Sequence, residues 1–170
     1  MKRNHFLRYL LSFALSFVAI FAMAKSKNDI AQVDTLYNQL QREGVTITIN
    51  RVISSSVFNT AQFDPQGTLT FESTKTVADL PYFGVMTNAP FSMDGGGIDF
   101  DTTPKDIDME IKKDRVELAF EALNGSELFQ VRINMYPNHR VYMQIYSTDR
   151  ELNTYDGYFE LGVKKPASEK

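Results

Sequence analysis

The sequence has no cysteine, no tryptophan and only two histidines in 170 residues. Without cysteine there is no disulfide, no thiolate metal site, no cysteine nucleophile and no lipid attached at a lipobox thiol. A zinc site needs several nitrogen or sulfur ligands, and beyond His5 near the start the chain offers His139 alone, so zinc is not expected. A serine–histidine–acid site could use only that residue. No Gly-x-Ser-x-Gly elbow presents a serine to it. Gly95-Gly96-Gly97 lacks the lysine of a phosphate loop and opens no helical pattern. No cofactor is expected.

Basic residues are also few outside the first segment. Lys2, Arg3 and Arg8 precede an apolar run from Tyr9 to Phe21, broken only by Ser12 and Ser16 and followed by Ala22-Met23-Ala24. This order predicts a secretory signal over residues 1–24, with the mature chain starting near Lys25. A single membrane anchor is the alternative, but the run is shorter than the roughly 20 apolar residues that span a bilayer core. The expected location is the periplasm or the exterior, with no stable membrane anchor after cleavage. Three of the 18 Lys and Arg residues and none of the 21 Asp and Glu residues fall in that leader, leaving a formal charge of −6. An acidic chain without a basic stripe is a poor partner for nucleic acid.

Thirteen Phe and eight Tyr supply the material for a core. A mature chain of this size buries about 70% of its unfolded surface, enough to fold without disulfides. Residues 25–163 are expected to form one β-rich domain, with a polar tail over 164–170. From Lys25 to Arg42, Ile30, Val33, Tyr37 and Leu40 recur at helical spacing, Asn28 can cap the start and Gly44 can end it. This helix is expected to pack on a sheet; a linker helix is the alternative.

After Gly44 the pattern has a period of two. Val45, Ile47 and Ile49 alternate with polar residues, as do Leu69 and Phe71. Four consecutive segments then repeat the pattern: Ile107-Met109-Ile111, Val116-Leu118-Phe120-Ala122, Phe129-Val131-Ile133-Met135 and Val141-Met143-Ile145. Such alternation predicts antiparallel strands with one face buried and one wet. Asn124-Gly125 marks a hairpin through its tolerance of positive φ. A last strand is expected from Tyr155 to Val163, after a polar break at Thr148–Asn153. Asp79–Asp106, rich in Gly and Pro, reads as irregular structure with a short strand at Ile98–Asp101. The fold class is mainly β: an N-terminal helix and an antiparallel meander of about eight strands, closed as a barrel or folded as a sandwich.

The order of motifs carries a resemblance. Leu80-Pro81-Tyr82-Phe83-Gly84, Ala89-Pro90, Gly95-Gly96-Gly97-Ile98-Asp99-Phe100, Thr148-Asp149-Arg150 and Tyr155-Asp156-Gly157 follow one another as in the Bacteroidetes family known as domain of unknown function 4251. The resemblance covers roughly Ile30 to Leu161. It implies an exported cell-envelope protein, and no activity, substrate or catalytic residue. Many members look like lipoproteins, whereas this chain lacks the cysteine. Members tend to carry Asn-Gly where this chain has Asn138-His139, and His tolerates positive φ less well than Gly.

Two function classes are expected. The first is a non-catalytic envelope module binding a protein, a glycan or a small apolar ligand. Its candidate residues are Tyr82, Phe83, Tyr136, Tyr142, Tyr146 and Tyr155, because tyrosine joins an apolar body to a polar tip. Cross-strand pairing or a covering layer would equally account for those tyrosines, and Tyr82 and Phe83 equally suit loop anchors. The second class is a small periplasmic hydrolase or calcium-binding protein using the acids from Asp94 to Asp108. Their spacing does not match an EF-hand loop, and turn residues plus a solvated strand face explain them as well.

Overall fold

The computed structural model describes residues 30–54, 61–84 and 96–163. The expected signal peptide, the polar tail, Asp94 and Gly95 lie outside the described residues. Helix α1 covers residues 30–43 and stops at Gly44, whose φ of 68° is the left-handed conformation that glycine adopts without strain. Its N–H donates to the Leu40 carbonyl at 3.1 Å. The buried stripe is Val33, Leu36 and Leu40, with Tyr37 at its margin. Ile30, expected on that stripe, is 51% exposed. At 3.6 residues per turn it points roughly 90° away from the centre of the other three.

Nine strands follow: β1 (Val45–Ser54), β2 (Ala61–Phe71), β3 (Thr76–Leu80), β4 (Ile98–Thr102), β5 (Lys105–Ile111), β6 (Val116–Asn124), β7 (Glu127–Met135), β8 (Arg140–Ser147) and β9 (Asn153–Leu161). They form one antiparallel sheet in the order β4-β3-β2-β1-β9-β8-β7-β6-β5. The sheet curls into a half-barrel, so the sandwich alternative does not hold. Every strand hydrogen-bonds a neighbour in one continuous ladder, and the first and last strands pair from Val45↔Leu161 to Ser54↔Asn153. Curling brings distant strands together across the interior. The Phe71 ring meets Phe120 at 4.9 Å between centroids, and Phe100 meets Phe129 at 5.4 Å. Aromatic pairs at such separations contribute about 0.5–1.5 kcal/mol beyond their burial.

The period-two reading holds for β6, β7 and β8, whose alternate apolar residues are all buried. It fails in part on β5. Ile107 and Ile111 were expected inside, yet they are 41% and 45% exposed. Among the described residues β5 is an edge strand paired only with β6, and no further strand covers its inner row.

The expected irregular stretch is shorter than its composition suggests. Asp79 and Leu80 end β3, and β4 starts at Ile98, as expected. Hairpins also shift by a residue. Asn124 pairs with Glu127, so the central turn residues are Gly125 and Ser126, not Asn124 and Gly125. Gly125 has a φ of 60° and Ser126 is not in the positive region, which matches a type II′ turn. His139 takes a φ of 63° despite its side chain. Its N–H donates to the Tyr136 carbonyl, and its ring packs on Phe159 with centroids 5.2 Å apart. That packing offsets part of the left-handed cost. The last strand begins at Asn153, two residues before the expected start, because Asn153 already pairs with Ser54 of β1 and Ile145 of β8.

One glycine is required by close approach. A Cβ at Gly157 would lie 2.2 Å from the Thr48 carbonyl oxygen. There β1 carries a bulge between Ile49 and Arg51, which presses its backbone onto β9.

Candidate functional site

Three regions could carry function, and they differ in how much of their chemistry is already satisfied internally.

The first gathers the sequence motifs at one end of the half-barrel. The segment leaving β3 is fastened by two side chains of β9 and by a backbone N–H of the segment before it. Tyr155 Oη donates to the Pro81 carbonyl at 2.9 Å. The Glu151 N–H donates to Tyr82 Oη at 3.0 Å. The Asn153 amide accepts from the Phe83 N–H at 3.2 Å and donates to the Phe83 carbonyl at 2.9 Å, standing in for a strand's backbone. Beside them, Arg150 Nε donates to Glu127 Oε1 at 2.8 Å and Nη2 to Oε2 at 3.3 Å. Its Nη1 donates to the carbonyls of Gly96 and Gly97 at 2.8 and 2.7 Å. The guanidinium lies over the Tyr82 ring, 5.2 Å from its centroid, and 5.9 Å from that of Phe129. Ser147 Oγ also bonds Glu127. The two side chains of the ion pair are only 12% and 17% exposed.

This cluster is a latch between chain segments. Burial pushes the Tyr155 phenol well above its ordinary value of 10.0 and raises that of Tyr82 as well. Two of the expected binding residues therefore have other work. Tyr155 is fully buried and Tyr82 nearly so. Phe83 is half-buried, packed against the core, with both backbone polar groups engaged by Asn153. Glu127, Ser147, Arg150 and Asn153 were not singled out from sequence. Thr148-Asp149-Arg150 in the motif order was the one available pointer to them.

The second region is the outer face of β7, β8 and β9. Tyr142 and Tyr146 do lie on the polar side of β8, and Tyr146 is 45% exposed. Four residues of strand separate them by about 13 Å. They do not form one platform. Tyr142 sits opposite Asp156 and Asn134, beside a shallow hollow of about 270 Å³ shared with Tyr136 and Arg140. Tyr146 sits opposite Gln130, near a second hollow of about 270 Å³ bordered by Glu121 and Arg132.

The third region is the open seam of the half-barrel. A cleft of about 650 Å³ separates β5 from the end of α1 and the β2–β3 turn. Its walls include Tyr37, Leu40, Phe71, Glu72, Ile107 and Met109. β4 and β5 are joined at a buried Pro104, and they part there. β4 pairs with β3 and leans on the end of β6, where Asn124 donates to the Asp99 carbonyl at 2.7 Å. β5 pairs with β6, and among the described residues nothing pairs with its other edge. The seam is thus closed at the Pro104 end and open towards Ile111.

The acids of the expected hydrolase or calcium site spread along two strands. Asp99 and Asp101 point outward on β4, and Asp101 pairs with Lys75 at 3.0 Å. Asp108 is on the solvated side of β5. Among the described residues, no three His, Cys, Asp or Glu side chains converge in a group able to hold a metal. His139 directs Nδ1 at the Phe159 carbonyl, 3.2 Å away.

Comparison with known proteins fits this architecture. Residues 24–159 match the family model described as Domain of unknown function (DUF4251). A crystal structure of a DUF4251 family protein from Bacteroides eggerthii DSM 20697 superposes with a TM-score of 0.57 at 15% identity. The match covers 80% of this chain and 91% of that one. No curated protein matches the chain. Among the described residues, no helix is long and apolar enough to cross a membrane.

Proposed function

The chain belongs to the DUF4251 family, and from that premise we propose that it is a non-catalytic binding module of the cell envelope, exported by its leader, whose working surface is the seam cleft. The observation that carries this is the exposure of Ile107 in the cleft wall and of Ile111 further along the same strand, when the equivalent inward row of β6, β7 and β8 is wholly buried. With 41% and 45% of their surface in water, Ile107 and Ile111 each forfeit roughly 0.6–1.4 kcal/mol of burial that a ligand could restore. The motif latch already uses its own polar groups, and the tyrosines of β8 border two separate hollows, not one.

The test uses the leader-free chain and the neutral apolar dye Nile red. Saturable fluorescence is expected, weakened at least about tenfold by Ile107→Asp with Ile111→Asp, at unchanged melting temperature. If Tyr142→Ser with Tyr146→Ser removes binding instead, the outer face is the working surface and the seam reading fails. Export is checked separately, by finding Lys25 as the N-terminus of the protein recovered from a periplasmic fraction.

A further inference from the structure

Resting on the seam as the binding surface, we infer that its occupant is an extended peptide segment, apolar on one side and basic on the other, which pairs with the free edge of β5 as a tenth strand.

The backbone is prepared for this. The Lys112 N–H donates to the Arg115 carbonyl at 2.9 Å, closing the β5–β6 hairpin. Hydrogen bonding alternates along an antiparallel pair. Lys112, Glu110 and Asp108 therefore face β6 with their backbone groups, whereas Ile111 and Met109 turn theirs to the open edge. An incoming strand would bond those two residues; Met109 lines the cleft, and Ile111 lies two residues further along the same row. Peptide addition to an exposed sheet edge works in this way, with main-chain bonds giving affinity and alternate side chains giving choice.

Charge selects the kind of strand. The solvated row of β5 carries Asp108 and Glu110, with Asp106 at the bulge. Glu110 is engaged by Lys112, while Asp108 has no ion-pair partner among the described residues. Glu43 and Glu72 border the cleft, and so do the last carbonyls of α1, the negative end of the helix dipole. The one arginine there, Arg42, donates Nε to the Asn38 carbonyl of its own helix. A second copy of this chain is disfavoured in the register centred on Met109, where Asp108 would face Glu110 of the other copy and like charges directly opposite are destabilising. Lys or Arg on the outer side of an incoming strand would meet these acids, with Val, Ile or Leu on its inner side against Met109 and Ile111.

The experiment measures binding of three synthetic peptides to the leader-free chain, each at a concentration where it is monomeric alone. One alternates valine and lysine, one alternates valine and glutamate, and one is the lysine peptide N-methylated on the residues that would face β5. Each opposite-charge cross-strand pair multiplies affinity by about two to three, so three pairs separate the lysine from the glutamate peptide roughly tenfold. The N-methylated peptide should not bind, and amide exchange should slow at Met109 and Ile111 with the lysine peptide alone. Rising salt should narrow the gap. Equal binding of the lysine and N-methylated peptides would overturn the inference, because attraction without strand pairing needs no edge. Slowed exchange elsewhere than β5 would overturn it too. Nile red binding at the seam with no peptide binding would leave the binding-module reading standing and sink only the peptide. Failure of both would sink both.

Discussion

Replacing Arg150 by Ala should destabilise the domain by about 3 kcal/mol, at the lower end of the 3–5 kcal/mol seen when one partner of a buried ion pair is removed. The geometry sets that figure. Arg150 gives two charge-assisted bonds to Glu127 and two to glycine carbonyls. The carbonyls of Gly96 and Gly97 lie near solvent and can turn to water, so their loss costs little. Glu127 is only 17% exposed and keeps just the Ser147 hydroxyl, so its carboxylate bears most of the penalty. A loss of this size lowers the melting temperature by roughly 10–15 °C in a domain of about 140 residues. Arg150→Lys keeps the charge but not the fork geometry and should fall between. The assay is a double-mutant cycle by urea unfolding, with Arg150→Met, Glu127→Gln and both together. The double variant should lose clearly less than the sum of the singles, by 1 kcal/mol or more, since coupled neighbours deviate by about 0.5–3 kcal/mol. A single loss below about 1 kcal/mol, with additive effects, would refute the latch as an energetic unit.

Other measurements test the remaining geometry. Gly157→Ala drives a methyl into the Thr48 backbone oxygen, which cannot swing aside, so a loss of at least about 1–3 kcal/mol is expected; an unchanged urea midpoint would show that the strands do not approach so closely. Ile107→Ser and Ile111→Ser should each cost no more than about 1–2 kcal/mol, the share of their burial that the fold already provides, whereas Leu118→Ala on the covered strand should cost about 2–5 kcal/mol; a loss at Ile107 as large as at Leu118 would mean that β5 is covered after all. Burial holds the Tyr155 phenol neutral in the folded chain, while the unfolded chain ionises near pH 10.0. The unfolded state then holds fewer protons, so stability is intact below pH 10 and falls above it, by up to about 1.4 kcal/mol per pH unit. Tyr155→Phe should flatten that decline, and an identical decline in both proteins would contradict the burial.

The β character of the chain was legible because alternation is a property of a single segment. Val116 to Ala122 and Phe129 to Met135 each declare an inner and an outer row without reference to any neighbour. The end of α1 was equally plain, because Gly44 supplies a local conformation. The candidate site was far less legible. Tyr142 and Tyr155 look alike in sequence, and the strand register puts one on the wet face of β8 and the other in the interior on β9. Arg150, Glu127 and Tyr82 are far apart along the chain, and no spacing rule joins an arginine to a glutamate 23 residues earlier.

Local chemistry alone therefore determined that this chain makes strands, to within a residue or two where they turn, and which rows are apolar. Only the tertiary structure decided which apolar rows are covered. Covering a row takes strands and a helix from elsewhere in the chain, and at β5 the sheet of the described residues ends before the barrel closes. The same physics that buries Ile133 thus leaves Ile107 in water, beside an open edge.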